Sequence, residues 1–197
     1  MYNKPENNPD KASLRQQMLA ARQALPAQQR QQMDTRICSC IVQAAADVGP
    51  IAGYVAANGE PDIMPALTEL YECGHSIYLP VVDPLIRGQM QFGNWTPGMV
   101  LKRNRFGIGE PDGLETLPAA DLDLVFMPLL GYSAEGQRVG MGSGYYDRSF
   151  SISAAAKTPL LCGIAYSMQQ AQFSTADAWD IPMDAVVTEH GRFTFNR

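Results

Sequence analysis

The stretch that most constrains this chain covers residues 122–150, LDLVFMPLLGYSAEGQRVGMGSGYYDRSF. It opens with an apolar run over residues 122–130, the length of a strand buried on both faces. A turn is expected around Glu135-Gly136, followed by Arg138 and then by glycines at alternate positions, Gly140, Gly142 and Gly144. Tyr145, Tyr146, Asp147 and Arg148 then read as the first turn of a helix. Alternate glycines free the backbone to visit positive φ and let a ligand approach the main chain. Their N–H groups can curl into an anion-binding concavity, and the helix start adds its positive dipole end. The pattern predicts a phosphate cradle, although the glycines alone also fit a tight strand-to-helix turn. It is neither a Walker A loop nor GxGxxG, because no Gly-Lys-Ser/Thr ends it and the spacing differs.

The neighbours of the loop narrow the chemistry. A carboxylate at Asp147 beside phosphate is repulsive unless a cation bridges them, which is how Mg²⁺ is commonly held. The bland alternative for Asp147 is a helix-start acid favoured by the dipole. Arg138 carries a planar donor fork suited to phosphate, or is a solvated surface arginine.

The remaining sequence sets bounds. A chain of 197 residues, 46% hydrophobic and 18% charged, fits one ordinary globular domain over residues 1–197. No apolar run approaches the roughly 20 residues that span a bilayer, and the polar start MYNKPENNPDK has no signal-peptide core. A net charge of −5 argues against broad nucleic-acid binding. Cys38, Cys40, Cys73 and Cys162 show no CxxC or Cys/His spacing, so free thiols in a reducing cytoplasm are expected. Any metal should be hard and oxygen-bound.

Along the chain, residues 1–9 are expected to fray, and Asp10 to cap a helix with Leu14, Met18, Ala21 and Leu25 on one face. Lys11 and Arg15 share another face, four residues apart. Pro26 ends that helix or starts the next, which reaches about residue 47 through Met33, Ile37, Ile41 and Ala44. Strands are expected at 51–57, 76–82, 90–95, 160–166 and 185–189, with an antiparallel edge at 192–195. A helix capped by Asp62 separates the first two, and another runs from the glycine loop to about 156. Residues 96–117 form a long polar loop, and long loops in compact domains often act as lids. Strands alternating with helices predict an α/β fold with a mainly parallel sheet between helical layers.

The segment Arg138-Val-Gly-Met-Gly-Ser-Gly-Tyr-Tyr-Asp147, following LDLVFMPLLGYSAEGQ, resembles the signature of the 5-formyltetrahydrofolate cyclo-ligases, or 5,10-methenyltetrahydrofolate synthetases. The resemblance extends in order and spacing over about residues 11–189. It implies a three-layer α/β/α sandwich and an ATP- and Mg²⁺-dependent closure of 5-formyltetrahydrofolate to 5,10-methenyltetrahydrofolate, in a monomeric cytoplasmic enzyme. It implies that Lys11, Arg15, Arg138 and the loop Gly140, Met141, Gly142, Ser143, Gly144, Tyr145 and Tyr146 meet ATP. Asp147 and Asp184 would hold Mg²⁺, and Val55, Glu60, Phe106 and Tyr145 would meet the folate. Arg138, Tyr145 and Asp147 are the expected catalytic set. Many members carry basic residues where this chain has Met141 and Ser143; Arg148, Arg103 and Arg105 are the candidates to supply that charge. The rival readings are an ATP-binding paralogue acting on a non-folate substrate and a non-catalytic nucleotide-binding module.

Overall fold

The computed structural model describes residues 11–45, 48–86, 88–112, 115–150, 159–173 and 180–196. The expected frayed tail, the Asp10 cap, the end of the second helix at residue 47 and the helical extension to 156 lie outside the described residues.

Two helices come first, α1 (Lys11–Gln23) and α2 (Ala27–Ala44). Pro26 separates them: it has no N–H to continue α1, while its carbonyl accepts the Arg30 N–H at 2.9 Å to begin α2. Then follow β1 (Ile51–Ala52), α3 (Met64–Glu72), β2 (Ile77–Val82) and β3 (Met90–Trp95). The expected first strand is shorter than its apolar run. After Gly53 bonds Tyr78 O at 2.9 Å, the chain leaves the sheet toward the Asn58 turn. A side chain at Gly53 would run into Leu67 of α3, within 2.5 Å of a Cβ placed there, so glycine lets the helix settle on the strand.

The expected long loop is partly ordered by its own polar side chains. It holds a small hairpin, β4 (Lys102–Arg103) and β5 (Gly109–Glu110), and then β6 (Thr116–Leu117), which pairs with β3. Asn104 ties the hairpin tip, its Oδ1 accepting the N–H groups of Phe106 (2.9 Å) and Ile108 (3.2 Å).

The central run forms β7 (Leu124–Pro128), a short hairpin of β8 (Gly131–Tyr132) and β9 (Arg138–Val139), and α4 (Tyr145–Phe150). The chain ends with β10 (Leu160–Ile164), β11 (Ala185–Thr188) and β12 (Gly191–Thr194). The main sheet has the order β12-β11-β10-β7-β1-β2-β3-β6. Its five inner strands, β11 to β2, are parallel, and β12, β3 and β6 add antiparallel edges.

Alternation along β7 builds both faces of the core. Leu124 and Phe126 pack with Ile37, Ile41, Leu67 and Ile77 under α2 and α3. Val125 and Met127 pack with Phe92, Leu161 and Val186, against which Tyr145, Tyr146 and Phe150 of α4 lie. A strand apolar on both faces belongs at the middle of a parallel sheet, as expected from the sequence. The chain runs from β1 outward to β2, β3 and β6, then returns to β7 on the other side of β1. The carboxyl ends of β1 and β7 therefore flank a topological switch point, where α/β sheets open a crevice for ligands.

Candidate active site

A cavity of about 740 Å³ opens at that switch point. One wall comes from the exit of β1 (Asn58, Glu60), another from the end of β7 (Pro128, Leu129) and a third from residues 138–148. Lys11 and Arg15 of α1, Phe106 and Ile108 of the β4–β5 hairpin, and Asp180 complete it.

The glycine loop is shaped as its composition demands. Gly142 (φ +92°) and Gly144 (φ +64°) take the left-handed backbone that other L-residues resist. Arg15 braces the loop, its Nε donating to Gly140 O at 2.8 Å. Arg148 braces it from the other side, donating to Ser143 O and, at 3.1 Å, to Gly88 O. At least two of its donors therefore fasten backbone, at Ser143 and Gly88, while its side chain lines the cavity. Arg105 donates to the Tyr145 hydroxyl, and Phe106 meets the Tyr145 ring edge-on with centroids 5.9 Å apart. These contacts seat the hairpin tip on the first turn of α4, across the mouth of the cavity.

Charge in the site is paired. Arg138 Nη2 lies 2.5 Å from Asp147 Oδ1, with side chains only 6% and 17% exposed. Asp147 Oδ1 also accepts the Ile181 N–H at 3.3 Å. The Arg138 guanidinium sits 5.8 Å from the ring centre of Tyr146, whose phenol burial holds well above its ordinary pKa. Lys11 Nζ lies 2.7 Å from Asp180 Oδ2. Two cation–carboxylate pairs, Arg138–Asp147 and Lys11–Asp180, thus stand on the cavity wall. Burial pushes the Cys38 thiol up to about 11 and Cys162 up to about 12, so neither is a ready nucleophile.

The fold brings most of the expected residues to one cavity: Lys11, Arg15, Glu60, Phe106, Arg138, residues 140–146 and Asp147. Two stand apart. Asp184 precedes β11 at the opposite, amino end of the parallel strands, where its Oδ2 accepts the Leu161 N–H at 2.7 Å. It lines a separate cavity of about 200 Å³ beside Leu124 and Arg192. The expected Asp147–Asp184 metal pair is therefore not assembled here: Asp147, in the first turn of α4, lines the cavity at the carboxyl ends of the strands, and Asp184 lies at the amino end of β11. Val55 is the second correction: it packs against the core shared with α2 and α3, and Asn58 and Glu60 form the cavity wall in its place.

Sequence reasoning missed Asp180, which reaches the cavity four residues before Asp184. It also missed Arg22, buried behind the wall, although Arg22 continues the Lys11–Arg15 stripe at i+7 from Arg15. Among the described residues, no three His, Cys, Asp or Glu side chains converge on a metal position, and no helix is long and apolar enough to cross a membrane. A dedicated protein cage is thus absent there, whereas one or two carboxylates plus phosphate oxygens is the ordinary Mg²⁺ arrangement. Asp147, at the start of α4 and on the cavity wall, fits that role.

Known proteins resemble this chain in sequence and fold. The model of the 5-formyltetrahydrofolate cyclo-ligase family matches residues 7–189. The chain is 34% identical over 171 residues to the 5-formyltetrahydrofolate cyclo-ligase of Escherichia coli K12, covering 85% of this chain and 93% of that protein. It is 28% identical to the solved 5,10-methenyltetrahydrofolate synthetase of Aquifex aeolicus, with a TM-score of 0.77 over 95% of this chain and 93% of that one. The Mycoplasma pneumoniae 5,10-methenyltetrahydrofolate synthetase shares the fold at a TM-score of 0.75 and 24% identity, over 92% of this chain and 99% of that one. With the glycine loop, its bracing arginines and the switch-point cavity in place, the chain belongs to the 5-formyltetrahydrofolate cyclo-ligase family of enzymes.

Proposed function

We propose that this chain converts 5-formyltetrahydrofolate to 5,10-methenyltetrahydrofolate at the expense of ATP, with Mg²⁺, releasing ADP and phosphate. The observation that carries this reading is one cavity lined at once by a braced glycine loop, by Lys11, Arg15 and Arg138, and by Glu60 and Phe106. The first group suits phosphates and the second suits a flat heterocycle with N–H donors.

The formyl group is a resonance-stabilised amide, and its oxygen is a poor leaving group. Transfer of the γ-phosphoryl group to that oxygen, with ADP departing, yields an iminium phosphate. N10 then adds to the activated carbon, its proton passes to the departing phosphate or to solvent, the C–O bond breaks, and the oxygen leaves as part of inorganic phosphate. Such a reaction needs positioning and charge neutralisation rather than a covalent enzyme nucleophile. The loop amides, Lys11, Arg15 and Arg138 take the phosphate charge, and Tyr145 and Phe106 close over the folate. When bound, Mg²⁺ at Asp147 neutralises charge developing on the phosphates. The structure supports reading Asp147 with the nearby Asp180, rather than with Asp184, as the carboxylates on that side.

Absorbance of the methenyl product, on mixing the protein with 5-formyltetrahydrofolate and Mg-ATP, tests the reading. Product with stoichiometric phosphate is the expected result. ATP bound without such turnover would support a paralogue with another substrate or a non-catalytic nucleotide module.

A further inference from the structure

Arg22 is fully buried and contributes nothing to the lining of the cavity, yet it grips three residues that do. Its Nε donates to Asn58 O at 3.1 Å, and its Nη1 donates to Leu129 O at 3.0 Å. Its Nη2 stands 3.9 Å from Glu60 Oε1 and has no hydrogen-bond partner. One planar fork thus spans the exits of β1 and β7, the two strands flanking the switch point. An unpartnered buried guanidinium N–H is costly, so its survival beside Glu60 calls for a reason.

The gripped turn has a left-handed residue at its centre. Asn58 has φ +50°, a left-handed backbone that Asn tolerates better than most L-residues, and Arg22 Nε fastens its carbonyl in that turn. Glu60 follows two residues later, with Oε2 taken by the Ala57 N–H at 2.9 Å. That leaves Oε1 to Arg22 and to whatever enters the cavity. We propose that Arg22 is a positioning residue for the folate: it sets the Asn58 turn and keeps Glu60 ionised and oriented, without touching substrate. The inference rests on the proposed reading of Glu60 as a folate contact. A carboxylate matches the adjacent amino and ring N–H donors of a pterin, but only while charged.

Two groups hold charge on Glu60: the Ala57 N–H, the larger of the two, and the Arg22 guanidinium, the one cation among them. Burial raises the Glu60 pKa, and these two oppose the rise. The other neighbours that feel its charge are the phenols of Tyr54 and Tyr146, both themselves raised mainly by burial. Arg30 lies farther along the same side, donating to Arg22 O at 3.1 Å. Lysine at position 22 would keep the charge but lose the fork, since one ammonium cannot serve Asn58, Leu129 and Glu60 in the guanidinium's plane.

The test compares wild type with Arg22→Lys, Arg22→Gln and Glu60→Gln, measuring KM for 5-formyltetrahydrofolate and for ATP, and the pH profile of kcat/KM for the folate. Both Arg22 variants should raise the folate KM about tenfold or more, Gln beyond Lys, with ATP KM within about twofold of wild type. The acid limb of the profile should move up by about one pH unit in Arg22→Gln and vanish in Glu60→Gln. Should burial of position 22 prevent folding, Arg22→Lys in an Asn58→Gly background carries the test, because glycine relaxes the turn while the folate defect should persist. Folate and ATP constants rising together, or an unchanged folate KM with an unmoved acid limb, would overturn the inference. If Glu60→Gln also leaves the folate KM unchanged, the failure lies with the folate reading of Glu60; if Glu60→Gln alone raises it, only the role of Arg22 fails.

Discussion

Replacing Asp147 by Asn probes whether the ion pair on the loop wall is structural, catalytic or both. The change keeps size and shape but removes the charge facing Arg138 at 2.5 Å. Arg138 is 6% exposed, and its Nε already lacks a hydrogen-bond partner, so it would be left as a buried charge with little compensation. Breaking a buried pair from one side costs about 3–5 kcal/mol. Asp147 keeps 17% exposure at the cavity, which places the expected loss near the lower end, about 3 kcal/mol. For a chain of this length that corresponds to a fall in Tm of about 6–12 °C. A surface helix-start acid would instead cost only about 0.5–1 kcal/mol. Ligand dependence separates the catalytic part. Metal-free ATP brings phosphates to the unpaired Arg138 and no longer meets a repelling carboxylate, so it should stabilise the variant at least as much as wild type. Mg²⁺ should add stability to the wild-type ATP complex and little to the variant, whose turnover should collapse. The assays are thermal melts with ATP, with Mg-ATP and without ligand, alongside methenyl absorbance. A variant within about 0.5 kcal/mol of wild type would refute the buried-pair argument. Equal activity at saturating Mg²⁺ would refute the metal role of Asp147.

Three further outcomes follow from particular atoms. Gly142→Ala should cost about 1–2 kcal/mol for its left-handed backbone, and should weaken ATP binding in calorimetry beyond that. A Cβ at Gly142 stands an uncrowded 3.6 Å from the Arg15 guanidinium, so unchanged ATP affinity would reduce the loop to a tight turn. Gly163→Ala would put a methyl 2.4 Å from Met183 Sδ and 2.6 Å from Leu129 Cδ2. Overpacking there should cost about 1–3 kcal/mol in urea melts and disturb the cavity wall at Leu129; an unchanged melt would show that the core yields. Burial raises the Glu60 pKa above its ordinary 4.5, so the folded state holds that proton more tightly than the unfolded chain. Its contribution to stability is therefore greatest below pH 4.5 and falls as pH rises through the raised value. The Glu60→Gln variant should lack this fall; parallel stability–pH curves for the two proteins would contradict it.

Local pattern carried the sequence a long way. The alternating apolar faces of β7, the glycines at alternate positions and the helix start at Tyr145 are interactions among near neighbours. Spacing along the chain therefore states them directly, and with them the parallel sheet and the glycine loop. The same holds for Lys11 and Arg15, which share one helical face. What the tertiary structure decided are juxtapositions set by strand order. Asp180 and Asp184 differ by four positions, yet the chain between them runs from the cavity to the amino edge of the sheet, so only Asp180 meets Lys11. Val55 and Glu60 lie on one exit segment, but departure from β1 leaves the first half-buried against the core and brings the second to the cavity. Arg22 reads as one more polar residue on an amphipathic helix until β1 and β7 become neighbours and their loops converge on its three donor nitrogens. Periodicity reports which side of an element is apolar; which polar groups meet across 36 or 107 residues depends on how the sheet is ordered.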